Sequence, residues 1–138
     1  MAAGSLRSLD RRLGAALLII NQKIEQFIAE VGVSIAEIIV PATPVLTGYA
    51  RGNWQGSLRS PATQPISFLD PTGSAAVSRI RLVATSYSLG DTLYIVNNAP
   101  YIGELNRGSS RQAPAGFVEA SVREGLNRAK SLTSLGAG

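Results

Sequence analysis

Leu13, Leu17, Ile20, Ile24, Phe27, Val31, Ile35 and Ile38 are spaced 4, 3, 4, 3, 4, 4 and 3 residues apart. That rhythm keeps apolar side chains on one stripe of an α-helix and is incompatible with a strand. Ser8 is the predicted N-cap, although Arg11 three residues later leaves a capping box incomplete. Pro41 is predicted to end the helix. About thirty residues at 1.5 Å each make roughly 45–50 Å of helix, more than a small domain needs to cover its own core. Leu18, Ile19, Ile28 and Ile39 add apolar surface off the stripe. The surplus length is therefore expected to pack against neighbouring subunits.

The run AALLII within this helix is too short to span a bilayer. Arg7, Arg11 and Arg12 precede it, as in a signal peptide, but NQKIEQF follows with no small-residue cleavage site. The expectation is a helix of a cytosolic protein with no membrane partner.

With 138 residues, the chain is expected to form one domain over residues 1–130, with a flexible tail at 131–138. TPVLTGYARGNW (43–54) reads as a corner, in which Thr47 caps a short helical turn over Gly48–Asn53. WQGSLRS (54–60) reads as a strand, and the proline-rich stretch 61–71 as a connection. Helical spacing of Ala76, Ile80, Val83 and Tyr87 predicts a second helix near 73–88, with Gly90 as its C-cap. A short strand is predicted at 92–97, and Tyr101–Leu105 is left open between extended and helical. Residues 106–116 read as a loop. FVEASVR alternates and is predicted as a third strand near 116–122. The expected fold is α+β: a long N-terminal helix, a second helix and a small antiparallel sheet.

The chemistry available is narrow. There is no histidine and no cysteine, which removes the commonest general base, the usual zinc ligands and any disulfide. Gly48 and Gly52 flank Arg51, but the lysine and hydroxyl that close a phosphate-binding loop are missing. Asp70 and Asp91 lie in turn sequences, where aspartate bonds its own backbone. Glu104 beside Arg107 and Arg111 reads as an ion pair between loop residues. Nothing here assembles a catalytic site or calls for a cofactor or metal, so the expectation is a non-enzymatic protein.

The net charge of +4 lies wholly after residue 40, where nine Arg/Lys face five Asp/Glu. Lys23 and Lys130 are the only lysines. Arginine suits carboxylate pairing across interfaces as well as phosphate. Basic residues are not interleaved with aromatics, so specific base readout is not supported. The charged fraction of 16% is low, which fits a surface partly buried between subunits.

Three stretches, TPVLTGYARGNW (43–54), LGDTLYIVNNAPYIGELNRG (89–108) and SRQAPAGFVEASV (110–122), occur in this order after a long helix. Together they resemble the tail-completion or neck proteins of long-tailed bacteriophages, a group related to the minor tail protein Z of lambda-type phages. The resemblance spans roughly residues 10–125. Leu46 departs from it where an acidic or polar residue is common, and Ile102-Gly103 where an alanine-rich step precedes Glu104. It implies a structural virion protein at the head–tail joint, a homo-oligomeric ring of six copies assembled in the host cytoplasm. Its expected neighbours are head-closure, tail-terminator or tail-tube proteins. DNA would pass through its lumen without specific binding.

Under that reading Trp54 and Phe117 anchor core or subunit packing, and Arg51 and Arg59 make inter-subunit ion pairs. Glu104, Arg107 and Arg111 sit on a partner-facing loop. The alternatives are a head-closure or tail-terminator ring and, from another class, a small DNA-binding protein.

Overall fold

A computed structural model describes residues 2–133, without the side chains of residues 2–4. It is an α+β fold in which one helix, α1 (Ala2–Ala42), runs through everything else. At 1.5 Å per residue α1 is about 60 Å long. It begins before Ser8, because AAGSLRSLD contains nothing that stops a helix and the predicted cap lies inside it. Pro41 sits in its last turn, and the helix ends one residue later at Ala42. The Thr43 amide then closes the end on the Ile39 and Val40 carbonyls, at 3.1 and 3.2 Å.

The chain turns through α2 (Tyr49–Gly52) into β1 (Trp54–Leu58). A connection without regular structure leads to α3 (Ser74–Thr85). β2 (Leu93–Asn97) follows and pairs antiparallel with β1, in register from Trp54 opposite Asn97 to Leu58 opposite Leu93. α4 (Ile102–Asn106) is a single helical turn with Tyr101 at its N-cap position, so the stretch left open at 101–105 is helical from Ile102. A loop then leads to α5 (Phe117–Leu132).

Further sequence expectations are corrected. The third strand near 116–122 does not exist, so the sheet has two strands and residues 117–132 are helical. Alternation of Val118, Ala120 and Val122 suggested a strand, but burial follows Phe117, Ser121, Gly125 and Ala129, one residue in four. Small side chains at three of these positions let α5 lie close against α1. Gly125 is the contact point: a Cβ there would stand 2.7 Å from Ile35 Cα.

Gly90 does not cap α3, which ends at Thr85 with Ser86 in the capping position. The Thr85 and Ser86 hydroxyls bond back to the Arg81 and Leu82 carbonyls, offering the backbone an early exit from the helix. Gly90 instead takes φ +101° in the following turn.

The core gathers Ala36, Ile39 and Val40 of α1, Trp54 of β1, and Ala76 and Ile80 of α3. Only the C-terminal half of α1 takes part. Residues 5–20 are exposed throughout, including Leu6, Leu9, Leu13, Leu17, Leu18, Ile19 and Ile20. The N-terminal half of the helix therefore projects from the domain as an arm. Of the tail expected at 131–138, Ser131 and Leu132 belong to α5, and residues 134–138 lie outside the described residues.

Candidate functional site

The three stretches singled out in the sequence are knitted to one another. The corner 43–54 is built on Thr43, whose hydroxyl donates to the Ile39 carbonyl at 2.7 Å and accepts from Trp54 Nε1 at 2.7 Å. Both residues are buried. Gly48 adopts φ +92°, and a Cβ there would lie 2.4 Å from the Pro71 nitrogen, so only glycine fits. Thr47 does not cap α2: Gly48 holds the N-cap position with no side-chain cap bond, and Thr47 Oγ1 only accepts from the Tyr49 amide at 3.4 Å.

Asn97, at the end of β2, donates to the Ala50 carbonyl at 2.8 Å and so ties the second stretch to the first. Gln112 ties the third to the first. Its Oε1 accepts from the Val45 amide at 2.8 Å, and its Nε2 donates to the Val45 carbonyl at 2.9 Å. Asn106 ties the second to the third. Its Oδ1 accepts from the Val118 amide at 2.9 Å, satisfying a free N–H at the start of α5. Its Nδ2 donates to both Glu119 carboxylate oxygens at 3.0 Å. That hydrogen bond is the main reason the Glu119 carboxyl lies below its ordinary pKa.

The residues expected to face partners are distributed as follows. Arg51 turns inward to the chain's own backbone. It donates to the Thr43 carbonyl at 2.7 Å, Pro41 at 3.0 Å and Pro71 at 2.8 Å. A guanidinium at the C-terminal end of α1 neutralises carbonyls that the helix leaves free. Arg59, just past the end of β1, makes a 3.4 Å ion pair with Asp91. Its φ of +72° makes it the one non-glycine residue with positive φ among those described, and the Ser60 amide bonds to the Leu58 carbonyl across it.

Trp54 and Phe117 are buried within the subunit, 4% and 3% exposed. Glu104 and Arg107 form an ion pair on α4 and its following residue, with both side chains largely exposed. Arg111, on the same loop and exposed, has no ion pair among the described residues. Tyr49 and Tyr101 meet beside the corner with ring centroids 6.1 Å apart and planes tilted by 36°.

Asn97, Asn106 and Gln112 carry this network, and buried Asn53 pins the corner to the connection by donating to the Ile66 carbonyl at 3.0 Å and accepting from its amide at 2.7 Å; the sequence assigned none of the four a role at the site. Each is an amide side chain beside a turn, able to donate and accept at once. That is the only signal the sequence offered.

An apolar cleft of about 600 Å³ opens between α1, β2 and α5. Phe27, Val31 and Ile35 of α1 form its floor, with Ile95 of β2 and Val118 and Val122 of α5 as walls. Tyr87, Asp91 and Thr92 stand at its polar part. No cluster of three or more metal-ligating side chains exists among the described residues. No helix among them is long and apolar enough to cross a membrane. Comparison with protein-family models, curated proteins and solved structures finds no match to this chain.

Proposed function

We propose that this chain is a structural subunit of a bacteriophage head–tail joint, forming a ring that completes the tail and connects it to the head around the DNA channel. The observation that carries the reading is the uncovered arm. Seven large aliphatic side chains between Leu6 and Ile20 are each about half exposed or more. A subunit with so much contiguous apolar surface reaches its stable state by assembly. A ring needs a heterologous contact that repeats and closes, and an arm leaving the domain can supply one.

The family resemblance supports the same reading. Its three sequence blocks are the ones that Asn97, Asn106 and Gln112 fasten together. They support a single rigid head, from which the loop 107–116 presents Arg107 and Arg111 outward.

A reconstruction of intact virions carrying this chain tests the proposal. Density for a ring of this fold at the head–tail joint is expected. Its absence from that joint, with the chain located elsewhere or missing from the particle, would sink the reading. Arg107→Ala with Arg111→Ala, both at exposed positions, is expected to leave a folded subunit that no longer joins heads to tails.

A further inference from the structure

The arm and the cleft belong to one apolar stripe. At roughly 100° per residue, Leu6, Leu9, Leu13, Leu17 and Ile20 fall within about 80° of one another around α1, and Phe27, Val31 and Ile35 continue the same face. C-terminal to Ile24 the stripe is walled by β2 and α5 and becomes the cleft. N-terminal to it, the stripe is open to solvent among the described residues. We propose that the cleft of one copy receives the arm of a second copy of this chain.

Three observations select that occupant. The arm cannot fill its own cleft, because the arm and the cleft floor are one continuous helix, unbroken at Gly14. A small ligand fits the lining poorly. Such sites place several polar groups to fix orientation, whereas here the one carboxylate, Asp91, is already paired with Arg59. A helical row of Leu and Ile side chains matches an open apolar trough, as in helix-in-groove recognition.

Charge agrees as well. The arm carries Arg7, Arg11 and Arg12 against Asp10 alone. Beside the cleft, and sharing Tyr87 with it, lies a more open and more polar hollow that presents Glu25 and Glu30. Arg81 in that hollow pairs with Glu37, whose other oxygen accepts from Arg128.

The inference deepens the ring reading without depending on it. Each copy owns one arm and one cleft, so exchange either runs serially around a ring or closes reciprocally as a dimer. A closed dimer of the unmodified chain would keep the exchange and overturn the ring.

The test uses two full-length variants. Leu13→Asp with Leu17→Asp disables the arm at exposed positions, and Val122→Arg disables the cleft at a position 41% exposed. Sedimentation of the unmodified chain is expected to show an assembly, and each variant alone is expected to be a monomer with unchanged circular dichroism. Mixing the two restores one arm and one cleft, so a heterodimer and nothing larger is expected.

A photo-crosslinking side chain at Leu13 of the otherwise unmodified protein gives an independent reading, immune to any misfolding of the variants. Mixed heavy and light chains should yield inter-chain adducts on the cleft residues between Phe27 and Ile35 or between Val118 and Leu126. A monomeric unmodified chain, full assembly of the Val122→Arg variant, a mixture that stays monomeric, or adducts confined to a second arm would each overturn the proposal.

Discussion

The indole nitrogen of Trp54 donates a 2.7 Å hydrogen bond to the hydroxyl of Thr43, which donates its own proton to the Ile39 carbonyl. One threonine thus links the end of the long helix to the first residue of the sheet. Thr43→Val keeps the shape but leaves a buried N–H without an acceptor. It is expected to destabilise the fold by about 1–3 kcal/mol, with Thr43→Ser closer to the unmodified protein. Urea unfolding followed by the fluorescence of Trp54, the only tryptophan, measures both.

Arg51 addresses three backbone carbonyls, and the planar fork of its guanidinium is what reaches them together. Arg51→Lys is expected to cost roughly 2 kcal/mol, since a single ammonium cannot reproduce the set. If Arg51→Lys unfolds at the unmodified denaturant midpoint yet fails to assemble, the arginine serves a neighbouring subunit instead.

Gly125 lies against the backbone of Ile35, where an added Cβ would come within 2.7 Å of Cα and 2.9 Å of N. Backbone cannot rotate aside as a side chain can. Gly125→Ala is therefore expected to push α5 off α1 and cost about 1–3 kcal/mol, despite alanine's better helix propensity. Thermal unfolding decides the sign: a raised midpoint would mean that propensity outweighs the contact.

Glu119 titrates below its ordinary value because Asn106 hydrogen-bonds its charged form. A carboxylate depressed in the folded state adds stability that is present above the unfolded pKa, and this contribution is lost as pH falls through the folded pKa. The link between Asn106 and Glu119 is thus expected to hold at neutral pH and weaken only in acid, below the ordinary glutamate range. Asn106→Ala should move the Glu119 carboxyl upward in an NMR titration. An unmoved titration would show that another group sets it.

Arg59 holds a left-handed backbone that glycine adopts without strain. Its ion pair with Asp91 is exposed on the arginine side and contributes little. Arg59→Gly is expected to be roughly 0.5–1 kcal/mol more stable than Arg59→Ala, by comparison of chemical denaturation midpoints. Equal stability would mean that the turn relaxes once the arginine is gone.

The sequence by itself determined the long helix, because a stripe repeating over eight apolar positions is a local property of the chain. It also determined the corner, the two paired strands and the second helix, where turn residues and periodicity agree. It did not determine residues 117–132, whose short alternation is compatible with a strand until α1 is present to bury one residue in four. Nor did it show that Arg51 bonds its own backbone, since Pro41, Thr43 and Pro71 meet only when the chain has folded around them. The same holds for Asn106 and Gln112, which are ordinary loop amides until distant backbone comes within reach. Periodicity reports which face of an element is apolar. Only the tertiary structure decides what covers that face, and it leaves the first half of α1 uncovered.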